Sequence, residues 1–134
     1  MSTLMNSFLL DSNILIYLFA RNEKVDDFIN NLCADEFAIS SISYLEILVG
    51  AEKSGGKIRE VENFLEEVHV IEFNKKTVNM AMSLNKTNQG KLKFKDLAIA
   101  ATALVHKLPL VTADHDFKFI KDLEVKYVKI NMTD

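Results

Sequence analysis

Apolar positions along the chain fall into short continuous runs separated by longer stretches in which they recur every three or four residues. Phe8 to Leu10 has the length of a buried strand, and Ser12 to Phe19 then reads as a helix that Ser12 or Asp11 would cap. Val25 to Leu32 places Phe28, Ile29 and Leu32 at helical spacing. Phe37 to Ile39 is a second strand-like run, and Ile42 to Ala51 is a helix rich in Leu, Ile and Val. Gly55 and Gly56 punctuate the next boundary. Ile58, Val61, Phe64 and Leu65 then mark a helix, and Val68 to Phe73 alternates as a strand does. A further helix covers about Thr77 to Lys86. Leu97 to His106, dense in Ala and Leu, is also helical. Leu108 to Thr112 returns to a strand, and Tyr127 to Ile130 forms a last, edge strand. Strands alternating with helices predict an α/β fold of three layers, α/β/α, with a mainly parallel central sheet covered on both faces. In such sheets ligands gather beyond the carboxyl ends of the strands.

Composition narrows this picture. A chain of 134 residues with 49% hydrophobic content suits one domain over 1–134, and one Pro and four Gly leave few places for flexible linkers. Cys33 stands alone, so an internal disulfide, a Cys-based zinc cluster and a redox pair are all excluded, and a reducing cytoplasm is the expected location. The run Phe8-Leu9-Leu10 is stopped by Asp11, unlike a signal peptide. No apolar run approaches the roughly 20 residues of a spanning helix, so a soluble protein without membrane association is expected. A net charge of −3 and a pI near 5.6 give no global attraction to phosphate. Any nucleic-acid role must rest on local patches or bound cations.

The polar residues that interrupt the apolar pattern carry the candidate chemistry. Asp11 directly follows the first strand and Asp114 lies just past the strand ending at Thr112, so both should face one rim. Each is also what a helix cap or turn requires. Glu46 has two readings: Ser43-Tyr44-Leu45-Glu46 matches a capping box, whereas a helix starting near Ser41 would leave Glu46 past the first turn, at the edge of an apolar stripe. Asp96 precedes an Ala-rich helix and is explained by capping alone. Capping does not explain the set. Like charges brought together repel and shift one another's pKa values, so such a cluster implies a divalent cation. Oxygen donors suit Mg²⁺ or Mn²⁺; zinc fits less well, because His69, His106 and His115 are scattered.

Lys91, Lys93 and Lys95 come immediately before Asp96 in an extended segment, where they would hold phosphates or serve as a solvated edge. Phe94 between them would stack on a base or, as is commoner at that spacing, turn into the core.

Together these residues resemble the PIN-domain family, and within it the small VapC-like ribonuclease toxins of bacterial toxin–antitoxin pairs. FLLDSNILIY is similar to the family's opening strand and first acid, Asp11; ISSISYLEILVGA to its second, Glu46; and GKLKFKDLAIAATALVHKLPLVTADHDF to its third and fourth, Asp96 and Asp114, followed by Asp116-Phe117. The resemblance implies an acidic pocket binding Mg²⁺ or Mn²⁺, metal-dependent cleavage of RNA, a cognate antitoxin whose tail covers the groove, and a homodimer. It gives Ser12, Asn13 and Thr112 a supporting role, and leaves open whether Asp114 or Asp116 approaches the metal. One departure is the turn before Leu108-Pro109, where members of the family often have Gly and this chain has His106-Lys107. Ile42 to Val49 and Phe28 to Leu32 are candidate contact faces for a partner. Two rival readings are a non-catalytic interaction module on the same fold and a phosphoryl-transfer or receiver-type acidic-pocket domain. The latter commonly pairs acids at the first strand end, whereas Asp11 is followed by Ser12 and Asn13.

Overall fold

The computed structural model describes residues 6–56 and 58–130; the expected bounds of the domain, 1 and 134, lie outside them. The strands are β1 (Ser7–Leu10), β2 (Glu36–Ser40), β3 (His69–Ile71), β4 (Leu110–Thr112) and β5 (Val125–Tyr127). They form one sheet in the order β3-β2-β1-β4-β5, every pair parallel. Leu9 pairs with Ala38 on one side and Leu110 on the other.

Side chains alternate across this sheet, and the alternation sorts the core into two halves. Phe8, Leu10, Ile39 and Val111 face one layer, with α1 (Ser12–Phe19), α2 (Glu23–Asn31), α3 (Ser41–Lys53) and α4 (Ile58–Leu65) supplying Ile14, Leu15, Val25, Ile47, Val61 and Leu65. Leu9, Ala38 and Leu110 face the other, against α5 (Lys75–Thr87) and α6 (Phe94–His106). The three-layer α/β/α architecture expected from the sequence is the one observed. Phe28, Ile29 and Leu32 pack against the first core half, so that stripe is used internally. Among the described residues no helix is long and apolar enough to cross a membrane.

The α6 helix buries Ala98, Ala100, Ala101 and Ala103 along with Ile99. Side chains this small let a helix axis lie close to the sheet and to α5, on which α6 packs.

Several boundaries differ from expectation for identifiable reasons. The last strand is Val125–Tyr127 rather than Tyr127–Ile130, because Leu110 pairs with Val125 and the ladder runs out where Thr112 meets Tyr127. β4 begins at Leu110, after Pro109, which has no N–H to donate; the Pro109 carbonyl instead accepts from the Leu9 N–H at 2.9 Å. β3 spans only His69–Ile71 of the expected Val68 to Phe73. α6 starts at Phe94, so Lys95 lies in its first turn rather than in an extended segment, while Lys93, the N-cap, keeps extended backbone. Lys107 ends the helix at φ 55°, ψ 44°, the left-handed conformation that glycine adopts freely. The turn expected to differ is thus built with lysine in a glycine-type conformation.

Candidate active site

The chain proceeds outward from β1 to β2 and β3, then returns to the other side of β1 to lay down β4. That reversal opens a crevice at the carboxyl ends of β1 and β4. Asp11 leaves the end of β1 and Asp114 follows β4 by two residues, so the topology itself delivers two carboxylates to one crevice.

Asp11 is 2% exposed and caps α1: its Oδ1 accepts from the Ser12 N–H at 2.7 Å, and its Oδ2 accepts from the Thr112 hydroxyl at 2.7 Å. Burial raises its pKa, while the Thr112 bond, Lys95 and the Ser12 amide oppose the rise. Thr112, fully buried, also accepts from the Asp114 N–H at 3.0 Å. One hydroxyl therefore fixes the Asp11 carboxylate and the backbone of Asp114. The Ser12 hydroxyl lies 3.5 Å from Asp11 Oδ1, and Asn13 Oδ1 accepts from the Ala113 N–H at 3.5 Å, a long bond between the two strand ends.

Asp114 caps the short 3-10 turn His115–Phe117, accepting from the Asp116 N–H at 2.9 Å. Capping leaves a carboxylate with spare lone pairs, so a cap and a cation ligand are compatible roles. Asp96, third residue of α6, is buried in the first turn, and no side chain caps that helix. It instead shares a cluster with Asp114 and Asp116, one oxygen from each lying within 4.8 Å of the others. Burial first, then the charges of Asp114, Asp116 and Asp11, push the Asp96 pKa from 3.8 to about 6.

Glu46 sits beyond the first turn of α3. Ser40 is the cap, its Oγ accepting from the Ser43 N–H at 3.0 Å, so the alternative of a box between Ser43 and Glu46 is not formed. Glu46 Oε2 lies 3.6 Å from Lys95 Nζ, and its Oε1 is buried without a hydrogen-bond partner. Glu46 and Asp11 are both outside the Asp96, Asp114 and Asp116 cluster, and Lys95, the partner of Glu46, also sets its charge near Asp11. Lys93 approaches Asp116 at 3.9 Å, an exposed pair worth little by itself, and Lys91 is exposed. Phe94 does not turn into the core: it is 79% exposed at the first position of α6.

Tyr127 and His115 were not foreseen. Their rings stack at 5.0 Å and 15°, and the Tyr127 hydroxyl is buried without a partner. Burial raises its pKa, reinforced by Asp114 and Asp116. Only the β4–β5 register, which sets Tyr127 beside Thr112, places it here, and no local pattern discloses that register.

The donor set fits a hard cation. Oxygens on opposite sides of an ion with bonds of about 2.0–2.6 Å stand about 4–5 Å apart, which the clustered carboxylates match. An orphaned Glu46 oxygen and an Asp96 carboxyl destabilised by its neighbours are both relieved by positive charge.

A parallel sheet with converging carboxylates over its switch point defines an acidic-pocket α/β protein able to hold a divalent metal. Comparison with known proteins narrows the class: the sequence profile of the PIN domain matches residues 8–123, and the chain belongs to the PIN-domain family. It is similar to Ribonuclease VapC2 of Haemophilus influenzae, with 35% identity over 118 residues that cover 81% of this chain and 86% of the relative. Among solved structures, a toxin–antitoxin complex from Klebsiella pneumoniae contains a chain with a TM-score of 0.77 and 29% identity, covering 87% of this chain and 94% of that one. VapBC2 from Rickettsia felis, bound to a DNA fragment from its promoter, gives 0.78 and 26%, covering 90% and 98%.

Proposed function

We propose that this chain is a metal-dependent endoribonuclease of the VapC type, the toxin of a toxin–antitoxin pair. The observation that carries the reading is the convergence of Asp96, Asp114 and Asp116 beside Asp11 at the sheet's switch point. The VapC name of the relative and the toxin–antitoxin complexes among the structural neighbours support it.

Asp11, Asp96, Asp114 and Asp116 hold Mg²⁺ or Mn²⁺, and Glu46 completes the acceptor set with its free Oε1. When bound, the cation supplies Lewis acidity, activating a water and neutralising charge on the phosphate. The rest is done by the protein. Thr112 keeps Asp11 Oδ2 and the Asp114 backbone in fixed relation, and Ser12 and Asn13 support the same two strand ends. Asp96, with its pKa of about 6, carries a proton below that value and must lose it to take a cation, so metal binding weakens as pH falls through about 6. Lys91, Lys93 and Lys95 offer positive charge to RNA phosphates at the start of α6.

An antitoxin has a candidate seat in the groove between α1, α3 and α4, about 310 Å³ and lined by Ile16, Phe19, Ile47 and Val61, which reaches Glu46 at one end. Leu45 and Val49 stand exposed on α3. The cytoplasm and a homodimer complete the reading.

The test compares parent and Asp11→Asn in an RNA cleavage assay with Mn²⁺ and EDTA arms. Asn still caps α1, so the expected result is a folded variant with cleavage reduced by at least about 100-fold, and no cleavage by the parent in EDTA. Equal activity of the two proteins would refute the assignment.

A further inference from the structure

The two most exposed large apolar side chains among the described residues are Phe119 at 86% and Phe94 at 79%, and each lies within three residues of a member of the acidic cluster. Phe94 is the first residue of α6, two before Asp96; Phe119 follows Asp116 by three, with Phe117 and Ile120 on either side of it turned into the core. The contact of Lys93 with Asp116 at 3.9 Å brings these two segments together. Neither ring belongs to either half of the core.

Each ring has lysines as close neighbours along the chain: Lys91, Lys93 and Lys95 bracket Phe94, and Lys118 and Lys121 bracket Phe119, on a chain whose net charge is −3. Concentrated cation around an exposed phenyl ring favours a polyanion with apolar faces over an uncharged protein surface. A nucleic acid has both, but a base inside a duplex has each face covered by its neighbours, so a phenyl ring stacks only on an unpaired one.

We infer that Phe94 and Phe119 are stacking platforms, each gripping an unpaired base of the RNA strand beside the acidic cluster. This rests on the ribonuclease reading for the identity of the polymer. The stacking contact itself needs no metal, so it is measurable apart from cleavage. Phe94 and Phe119 each hold a base while the lysines neutralise the backbone.

The experiment measures equilibrium binding of the full chain, in EDTA, to an unpaired mixed-sequence RNA oligonucleotide and to the same strand annealed to its complement. Parent protein should prefer the unpaired strand. Phe94→Ala and Phe119→Ala should each weaken that binding about 5- to 150-fold, the range equivalent to ~1–3 kcal/mol per stacked base, and leave duplex binding unchanged. Phe94→Leu should fail like alanine, because it keeps apolar area without a π face, and Phe94→Tyr should restore the parent value. Binding by Phe94→Leu as tight as the parent's, or equal loss on duplex and single strand, overturns the proposal. So does a change of oligomeric state in the alanine variants with RNA affinity intact, which would assign the rings to a protein interface. Cleavage by the same variants is scored separately: stacking without any cleavage would sink the nuclease reading and leave this one standing, and normal cleavage with normal Phe94→Leu binding would do the reverse.

Discussion

Replacing Asp96 by Asn should make the metal-free protein more stable at neutral pH, although it removes a buried polar group's charge from the site proposed to do the chemistry. The ionised carboxyl is held at a pKa of about 6 against 3.8 in its ordinary state, for which burial and then Asp114, Asp116 and Asp11 are responsible. About two pH units at ~1.36 kcal/mol each amount to at most ~3 kcal/mol. Asp114 is half-buried and Asp116 exposed, so solvent screening reduces this to about 1–2 kcal/mol. Below the unfolded value both states carry the proton and nothing is lost. Between 3.8 and about 6 the folded protein retains a proton that the unfolded chain releases, so stability falls as pH rises; above about 6 the full cost is present. Asn, neutral throughout, never incurs it. Thermal unfolding in EDTA should show Asp96→Asn melting about 3–8 °C above the parent near pH 7.5 and with it near pH 4. Coincident melting at neutral pH, or an equal gain at both pH values, would refute the account of Asp96 as a carboxylate strained by its neighbours.

Further expectations concern the groups that frame the site. Thr112→Val removes the donor to Asp11 Oδ2 and the acceptor of the Asp114 N–H, and should cost about 2–3 kcal/mol in urea unfolding, with Thr112→Ser recovering most of it. Saturating Mg²⁺ or Mn²⁺ at about 100 times its dissociation constant should stabilise the parent by ~2.7 kcal/mol and Asp96→Asn by much less, read as the shift in melting temperature. Lys107→Gly should be neutral to stabilising by up to about 1 kcal/mol, because glycine occupies the left-handed helix end without steric cost, whereas Lys107→Val should destabilise.

Much of the fold was legible because its signals are local. Phe8 to Leu10 reads as a buried strand whatever surrounds it, and the Ala-rich run from Leu97 reads as a helix from composition. Asp11 and Asp114 could be assigned to one rim since each follows a strand. What depends on pairing was not legible: β5 is placed by Leu110 and Thr112 across the ladder, so the apolar look of Tyr127 to Ile130 misled by two residues. The alternatives for Glu46 differed in whether Ser43 caps the helix or the helix starts near Ser41, and a bond from the Ser43 amide to the Ser40 hydroxyl decides for the latter. For Phe94 the sequence left open a base-stacking role and the commoner core position. The ring is outside because α6 begins at that residue, beyond the stripe that packs on the sheet. Asp116 joins Asp96 and Asp114 through a tight turn that no periodicity announces.

The run of methyl groups along α6 has a consequence for how far from the pocket its geometry is governed. Ala98, Ala100, Ala101 and Ala103 act as a spacer between that rod and what lies beneath it, and Asp96 rides on the same rod. Thickening the spacer by even one methylene would lift the rod and carry the carboxylate with it, and displacement of about 1 Å is enough to blunt a catalyst 100-fold. Residues with no reactive atom thus set the height at which a reactive one works.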